Sequence, residues 1–337
     1  MVYSDDYLLC IIQLNDDIKT GKKSDMTMYL LLNTYAGGGS AEKKWSQIKN
    51  TVNQKFKDLK IIKVAASYNI NSFIQNGTTK KEKEFIIAGG DGTVNQFINN
   101  LIDQADKKDI KDIRIGAIGI GSSNDFHKPI FKEYLIAEIP AKINFNSYEL
   151  RDVGVIKYKA GSEFFHKYFL LNASIGVTAE ANNLFNNPDS ILKFFKKHFT
   201  SLAILYSAFK TIFSYKNIEA KIIFNPNEAY LFPVSNLSII KSPNISGDLS
   251  YPGNADYQNG LFDIYLTHSM NKLDLINLLK SLSKKIFPKS EKTKYCNTSK
   301  IIVSAESDFL IEFDGEIIKT NNAEFSILNK FLNICTS

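Results

Sequence analysis

The sequence predicts an α/β protein with two domains, a doubly wound, Rossmann-like parallel-sheet domain over residues 1–142 and a β-rich, sandwich-like domain over residues 143–337. Three observations predict this fold. A chain of 337 residues is longer than a single hydrophobic core usually serves. Apolar runs alternate with helical patterns up to about residue 139. Beyond residue 142, short β-branched or aromatic runs follow one another between turn signals.

The first domain is predicted to alternate strands with helices, as parallel βαβ units do. Residues 1–26 form an extension ahead of the first strand. The predicted strands cover residues 28–32, 59–65, 84–88 and 113–118. One predicted helix starts at about residue 41, and two others cover residues 70–75 and 93–104. Because two helices follow glycine turns directly after strands, we expect those turns at the carboxyl edge of one sheet.

The second domain is predicted to consist mainly of short strands. They cover residues 146–158, 167–174, 220–224, 237–240, 261–267, 300–304 and 309–313. Two helical patterns interrupt them, a long one over residues 189–214 and a shorter one over 272–283.

Composition and charge exclude several classes of protein. The net charge of +6, from 41 basic and 35 acidic residues spread along the chain, does not indicate nucleic-acid binding. Cys10, Cys296 and Cys335 are odd in number and form no CxxC motif, which favours a reducing compartment. No basic segment leads into an apolar run at the start, and no apolar stretch reaches the length of a membrane span. We therefore expect a cytoplasmic protein whose lipid contact, if any, is peripheral.

Three glycine turns indicate a phosphate site. They read NTYAGGG, GGDGT and GIGSSND, and each follows a predicted strand. Glycine turns at strand ends expose backbone N–H groups that bind phosphate, and three converging turns favour a polyphosphate. Asp91 in GGDGT would repel that ligand unless a cation lay between them, so it indicates Mg²⁺ bound with the nucleotide. No Walker motif and no dinucleotide fingerprint is present.

These motifs resemble those of the diacylglycerol kinase catalytic superfamily, and in particular its bacterial lipid kinases, which are related to sphingosine and ceramide kinases and more distantly to NAD kinases. GGDGT matches the hallmark of that family in full. NTYAGGGSAEKKW resembles its opening loop, with Asn33, Gly37 and Trp45 retained. GSSNDF, NASIGVTAE and FDGE resemble three later motifs in family order, so the resemblance runs from about residue 29 to 318.

The resemblance implies a kinase with its active site in the cleft between the domains, using ATP and Mg²⁺ to phosphorylate a lipid hydroxyl at a membrane surface. Glu316 is expected as the catalytic base and Asp314 as its catalytic partner, and Asp91 as a contact of the metal. The implied nucleotide-binding residues are Asn33, Gly37, Ser67, Gly89, Gly90, Asp91, Gly92, Thr93, Val94, Asn95, Gly121, Ser122, Asn124 and Asp125.

Several positions depart from the family pattern. Gln96 stands where an acid is usual, and His127, where an alanine is usual, is expected to be a surface residue at a helix start. The resemblance also implies a structural Mg²⁺ in the second domain, at Asp256, Asn259 and Leu261. Gln258 and Asn259 replace a pair of acids there, so we expect weakened affinity for the metal.

Two further segments carry expectations. The lysine-rich pattern over residues 189–214 fits either an amphipathic helix on anionic lipid or a core-packing helix, and apolar residues on more than one face favour the second. The chain ends about twenty residues after FDGE, where relatives commonly return to the first domain. We therefore expect residues 7–14 to occupy a sheet edge that such a tail fills elsewhere.

Two other functions stay open at this point. An NAD kinase shares GGDGT, although NTYAGGG, GSSNDF and FDGE suit the lipid kinases better. A catalytically silent lipid- or nucleotide-binding module would explain the missing acids at Gln96, Gln258 and Asn259. The sequence leaves the acceptor open among diacylglycerol, monoacylglycerol, phosphatidylglycerol, a sphingoid base and ceramide. It does not fix the oligomeric state and is compatible with a homodimer.

Overall fold

The computed structural model describes residues 28–56, 58–64, 74, 83–225, 228–246 and 249–336. The described chain contains seven α-helices and seventeen strands. The leading extension, most of the helix predicted at 70–75 and the candidate Ser67 lie outside the described residues, so the expectations for them stay predictions.

The first domain is built on four parallel strands, in the order β2-β1-β3-β4. They are β1 (Met28–Asn33), β2 (Leu59–Val64), β3 (Glu84–Gly89) and β4 (Arg114–Gly119). Strands β1, β3 and β4 are apolar on both sides and are buried over most of their length, as parallel strands covered on both faces are.

Helices cover both faces of this sheet. Helix α1 (Ala41–Lys55) packs Trp45 and Ile48 on the face that carries Leu30 of β1. Helix α2 (Asp91–Gln104) packs Phe97 on the opposite face, which carries Leu31. Neighbouring residues of β1 thus belong to opposite cores, which confirms the predicted doubly wound arrangement. A short helix, α3 (Lys107–Ile110), precedes β4.

The second domain is confirmed as β-rich, and its strands pair antiparallel. They are β7 (Asn144–Ala160), β8 (Glu163–Phe169), β9 (Asn172–Gly176), β10 (Ile218–Asn225), β11 (Glu228–Ile240), β14 (Phe262–His268), β15 (Thr293–Thr298), β16 (Lys300–Phe313) and β17 (Glu316–Thr336), with the short pair β12 (Asn244–Ser246) and β13 (Leu249–Ser250). Two short strands, β5 (Leu135–Ile136) and β6 (Ile139–Lys142), lie between the domains, and β6 pairs with β4.

The last strand joins the two domains. β17 pairs with β16 and β7 over most of its length and then runs parallel to β4, with Asn333 opposite Arg114. From the sequence we assumed that the end of the chain does not return to the sheet of the first domain. That assumption is wrong, because β17 is long enough to pair with β4 of that sheet. Residues 7–14, which were expected to occupy a sheet edge, lie outside the described residues.

Four helices pack around the second domain. They are α4 (Val177–Asn186), α5 (Ser190–His198), α6 (Thr200–Ser214) and α7 (Lys272–Leu282). The single helix predicted over residues 189–214 is wrong, because the backbone of Phe199, at φ −146° and ψ 77°, leaves the helical region and separates α5 from α6. None of the helices among the described residues combines the length and apolarity needed to cross a bilayer.

Candidate active site in the cleft between the domains

The three glycine turns meet at the carboxyl edge of the first sheet, as the sequence predicted. A Cβ on Gly121 would lie 2.4 Å from the Cα of Gly90, and a Cβ on Gly37 would lie 3.3 Å from the carbonyl oxygen of Ile120. Gly37 also has a positive φ of 61°, a conformation that glycine adopts without strain. Side chains at these positions would force the three turns apart, so the glycines allow the turns to touch.

The glycines of GGDGT have two different roles, close packing within the turn and open space in the cleft. A Cβ on Gly89 would lie 2.5 Å from the side chain of Thr93, so Gly89 is needed for local packing. A Cβ on Gly92 would meet only Glu316 Oε1, at 4.0 Å. Gly92 is therefore the glycine of this motif whose missing side chain leaves space in the cleft.

Asp91 fixes the third turn. Its Oδ2 accepts the backbone N–H of Asp125 at 3.0 Å, and its Oδ1 accepts that of Phe126 at 2.9 Å. Burial, together with the nearby Asp125 carboxylate, raises the pKa of Asp91 to about 6, although the two hydrogen bonds oppose the shift. Asp91 thus connects the second turn to the third, and it lies beside another acid.

Two carboxylates near each other favour a cation. Asp91 and Asp125 line the same cavity, and Lys128 Nζ reaches Asp125 Oδ1 at 2.7 Å. Among the residues that the structure describes, no group of three or more His, Cys, Asp or Glu side chains is arranged to hold a metal ion. These two acids can therefore supply part of a magnesium coordination shell, and the remaining ligands would have to come from a bound nucleotide.

The other candidates from the first domain take different positions. Asn33 Nδ2 donates to Thr93 Oγ1 at 2.9 Å and so joins the first turn to the second. Asn124 Oδ1 accepts the backbone N–H of Gly121 at 3.1 Å inside the third turn. Ser122 lines the cavity, whereas Val94, a residue of α2, is buried in the core.

Asp314 anchors the hairpin turn between β16 and β17. Its carboxylate accepts backbone N–H groups from Leu170, Leu171 and Asn172, at 2.7, 3.0 and 3.1 Å. It also accepts the side-chain amide of Asn95, in the first domain, at 3.0 Å. Burial raises the pKa of Asp314, and these donors oppose the rise. All of its bonds are to the protein itself, and they hold the backbone of Asp314 at a φ of 45°.

Glu316 projects into the cleft from the start of β17. It is exposed, it lines the cavity, and it lies opposite Gly92 across the cleft. Asn186 of α4 donates to the carbonyl oxygen of Gly315 at 2.9 Å and holds the turn from the other side. The structure therefore brings the Asp-Gly-Glu motif of the second domain to the GGDGT turn of the first.

Glu312 is a buried acid that the sequence analysis missed. It lines the cavity from β16 and accepts Ser174 Oγ and the backbone N–H of Gly315, both at 2.9 Å. Burial raises its pKa to about 7. The sequence signal for this site is the acid inside the apolar run FLIEF, whose other residues pack in the core. Buried acids are rare without a partner, so an acid at such a position indicates a specific role.

The cleft leads into a cavity of about 390 Å³ with two chemically different ends. The polar end is formed by Asp91, Gly92, Ser122, Asp125, Glu312, Asp314 and Glu316. The apolar end lies between helices α4, α6 and α7 and is formed by Phe185, Ile204, Ala208, Ile212, Leu275, Leu278, Leu279 and Leu282. Sequence reasoning did not identify the apolar end, because its residues come from three separate helices.

Two expectations from the sequence are wrong, namely the magnesium site in the second domain and the surface position of His127. The magnesium site at Asp256, Asn259 and Leu261 does not fit, because the ammonium of Lys241 donates to both Asn259 Oδ1 and the carbonyl oxygen of Leu261 at 2.8 Å. Asp256 is exposed and accepts only a local backbone N–H. His127 is buried instead of lying on the surface, and burial lowers its pKa to about 3.

The raised pKa of Glu312 predicts a pH-dependent cost to stability. The unfolded side chain loses its proton near pH 4.5, whereas the folded one keeps it to about pH 7. The free energy of unfolding should therefore fall between these values, by up to about 3 kcal/mol for this group. Glu312→Gln mimics the protonated acid, so its thermal stability relative to wild type should rise from pH 5 to pH 8. A constant difference across this range would contradict the prediction, and Glu163→Gln, at an exposed acid, is the control.

Comparisons with known proteins agree with this geometry. Residues 27–147 match the model of the diacylglycerol kinase catalytic domain. A diacylglycerol kinase of Staphylococcus epidermidis is 24% identical over 255 residues, which are 74% of this chain and 73% of the relative. A diacylglycerol kinase of Staphylococcus haemolyticus is 22% identical over 262 residues, 76% of this chain and 72% of the relative.

Solved structures share the fold. A crystal structure of a proposed diacylglycerol kinase from Bacillus anthracis has a TM-score of 0.69 at 20% identity and covers 95% of this chain and 98% of its own. A second Bacillus anthracis diacylglycerol kinase has a TM-score of 0.63 at 16% identity, covering 94% and 98%. Residues 27–147 therefore match a diacylglycerol kinase catalytic domain, and the chain as a whole is similar to bacterial diacylglycerol kinases.

Proposed function

We propose that this protein is an ATP-dependent lipid kinase that transfers the γ-phosphoryl group of ATP to a lipid hydroxyl, with diacylglycerol as the leading acceptor. The cavity carries this proposal, because it joins an acidic, glycine-lined end to an apolar end in one continuous space. A lipid with a hydroxyl at its head fits such a space in one orientation only. The acceptor hydroxyl then lies beside Glu316, and an acyl chain lies between α6 and α7.

The three glycine turns would bind the nucleotide. Their backbone lies at strand ends and at the start of α2, where N–H groups and the helix dipole favour phosphate. Lys44 Nζ lies 2.5 Å from the carbonyl oxygen of Gly121 and adds a cation to the same crevice. Mg²⁺ would enter with ATP and would be held by Asp91 and Asp125, whose proximity favours a cation. It would neutralise charge on the phosphates.

Glu316 is the base in this proposal. Its carboxylate accepts the proton of the lipid hydroxyl as the hydroxyl oxygen bonds to the γ-phosphorus and the bond to the ADP oxygen breaks. Asp314, expected from sequence to share this chemistry, instead positions Glu316. All the hydrogen bonds described for its carboxylate are to protein N–H groups, and they fix the turn that carries Glu316.

Helices α5 and α6 give the proposed enzyme a surface for the membrane. The α5–α6 surface consists of the exposed apolar side chains Ile191, Phe194, Phe199, Leu202, Leu205, Phe209 and Phe213. Core packing, which the sequence favoured for this segment, is wrong for these positions. Exposed Lys193 and Lys210 lie on the same helices, exposed Lys216 follows α6, and these side chains suit anionic lipid.

Helix α6 connects this surface to the cavity. Ile204, Ala208 and Ile212 recur at intervals of four residues and line the cavity, whereas Phe209 and Phe213 are exposed on the other side. A helix with apolar residues on two faces, one lining the cavity and one exposed, suits a boundary between the lipid phase and the lipid site. We therefore propose that the acceptor enters the cavity from the membrane beside α6.

Glu316→Gln tests the catalytic assignment. The amide cannot accept the proton, so kcat with diacylglycerol should fall by about 10²–10⁴-fold while the KM for ATP changes little. The assay follows labelled γ-phosphate over a panel of diacylglycerol, monoacylglycerol, phosphatidylglycerol, sphingosine, ceramide and NAD. Glu163→Gln is the matched control. Preferred phosphorylation of NAD would replace the proposal with an NAD kinase, and ATP binding without any transfer would favour a silent module.

Ala208→Trp tests the acyl-chain assignment. An indole at this position would fill the apolar end, so kcat/KM for a long-chain diacylglycerol should fall at least about tenfold. The KM for ATP should stay unchanged, because the glycine turns are not touched. Leu202→Trp, on the opposite and exposed side of α6, is the control. Equal kcat/KM values for the two variants would place the acyl chain elsewhere.

Phe194→Ser combined with Phe213→Ser tests the membrane surface. Each phenylalanine would bury apolar area in the bilayer interface, so co-sedimentation with phosphatidylglycerol-containing vesicles should weaken at least about tenfold. Activity on a short-chain, water-soluble diacylglycerol should persist. Phe164→Ser, at an aromatic residue that is equally exposed on the β7–β8 hairpin, controls for general surface polarity. Unchanged vesicle binding by the double variant would rule out this surface.

A further inference from the structure

Lys241 places a buried ammonium group among oxygen atoms in the second domain. The side chain follows β11 and is 2% exposed. Its Nζ donates to Asp152 Oδ2 at 2.9 Å, to Asn259 Oδ1 at 2.8 Å and to the carbonyl oxygen of Leu261 at 2.8 Å. An ammonium has three donors, and all three are used here.

The partner carboxylate of Asp152 is buried and fully bonded as well. Its Oδ2 also accepts the backbone N–H of Gly260 at 2.8 Å. Its Oδ1 accepts the side chain of Asn329 at 3.0 Å and the backbone N–H of Lys330 at 2.8 Å. The pair thus holds together β7, the end of β11, the segment before β14 and an irregular part of β17.

The oxygens around the ammonium are those that a divalent cation would use. A carboxylate, a side-chain amide oxygen and a backbone carbonyl oxygen are typical ligands of Mg²⁺ and Ca²⁺. The predicted metal site shared two of them, at Asn259 and Leu261. A metal ion cannot enter while the ammonium of Lys241 is present, because both positive charges would need the same oxygens.

The backbone of Lys241 connects this pair to the cleft. The N–H groups of Lys241 and Ser242 both donate to the carbonyl oxygen of Leu171, at 2.8 and 3.0 Å. The N–H of Leu171 donates in turn to Asp314 Oδ1. The end of β11 therefore positions the peptide that anchors the Asp314 turn, and through it Glu316.

We propose that Lys241 is an internal replacement for a structural divalent cation, so that the second domain needs no metal of its own, and that it positions the Glu316 turn through Leu171. The first part stands without any assumption about activity. The second part rests on the proposed kinase function.

Wild-type protein without nucleotide tests the first part. EDTA should leave the thermal unfolding midpoint unchanged, and metal analysis of the treated protein should find no retained Mg²⁺ or Ca²⁺. A rise in Tm with Mg²⁺ that survives in Asp125→Asn but disappears in Asn259→Ala would overturn the proposal, because it would place a metal at the Lys241 position.

Lys241→Ala tests the replacement directly. It leaves the Asp152 carboxylate buried and unpaired, so Tm should fall by about 5 °C or more, and added Ca²⁺ or Mg²⁺ should restore part of the loss. In the double variant Lys241→Ala with Asp152→Asn, the loss should be smaller and metal should restore nothing. A Tm unaffected by Lys241→Ala, or a loss that metal restores equally in both variants, would contradict the proposal.

The positioning role has its own readout. In Lys241→Ala at low free Mg²⁺, kcat for the lipid should fall at least about tenfold while the KM for ATP stays within about twofold, because only the Glu316 turn moves. Added Ca²⁺ should restore kcat together with Tm. Unchanged kcat would remove the positioning role. Absence of lipid phosphorylation by wild type would contradict the proposed function alone, since the Tm measurements judge Lys241 independently.

Discussion

The carboxylate of Asp314 is the interaction on which the geometry of the cleft depends. It binds one side-chain donor from the first domain and three backbone donors from the β8–β9 turn of the second. A buried carboxylate without hydrogen-bond donors lowers the free energy of unfolding by roughly several kcal/mol. Separating the two domains at this point would remove the Asn95 donor from that carboxylate, so this hydrogen bond helps to set the positions of Gly92 and Glu316 relative to each other.

Much of the first domain could be predicted from sequence, because its signals are local. Apolar strands, the glycines after them and the helices that follow lie within a few residues of one another, and each pattern implies its neighbour. The three turns were expected to converge because parallel strands end at one edge of a sheet. Glu316 was identified by the resemblance of FDGE to the Asp-Gly-Glu motif of the family, and an Asp-Gly turn between two strands by itself predicts only a hairpin.

The parts that could not be predicted depend on residues far apart in the chain. Asp152 and Lys241 are 89 positions apart, and nothing near either residue indicates its partner. The apolar cavity combines helices from separate parts of the chain, and the break at Phe199 occurs within a continuous apolar pattern. The interior position of His127 was missed because Asp125 and Lys128 near it in sequence are charged, whereas its ring contacts Phe126 and lies close to Gly119.

β17 has a mechanical consequence for the proposed reaction cycle. The strand begins at Glu316, in the catalytic turn, and its last residues are hydrogen-bonded to β4 beneath the glycine turns. Both walls of the cleft are therefore attached to one strand of 21 residues, and its irregular section at residues 329–330 is clamped by Asp152. Such a strand resists hinge bending, so the entrance has to open elsewhere. Of the helices that line the cavity, α6 is the one that also belongs to the exposed apolar surface, and its displacement would admit the lipid while the catalytic groups stayed in register.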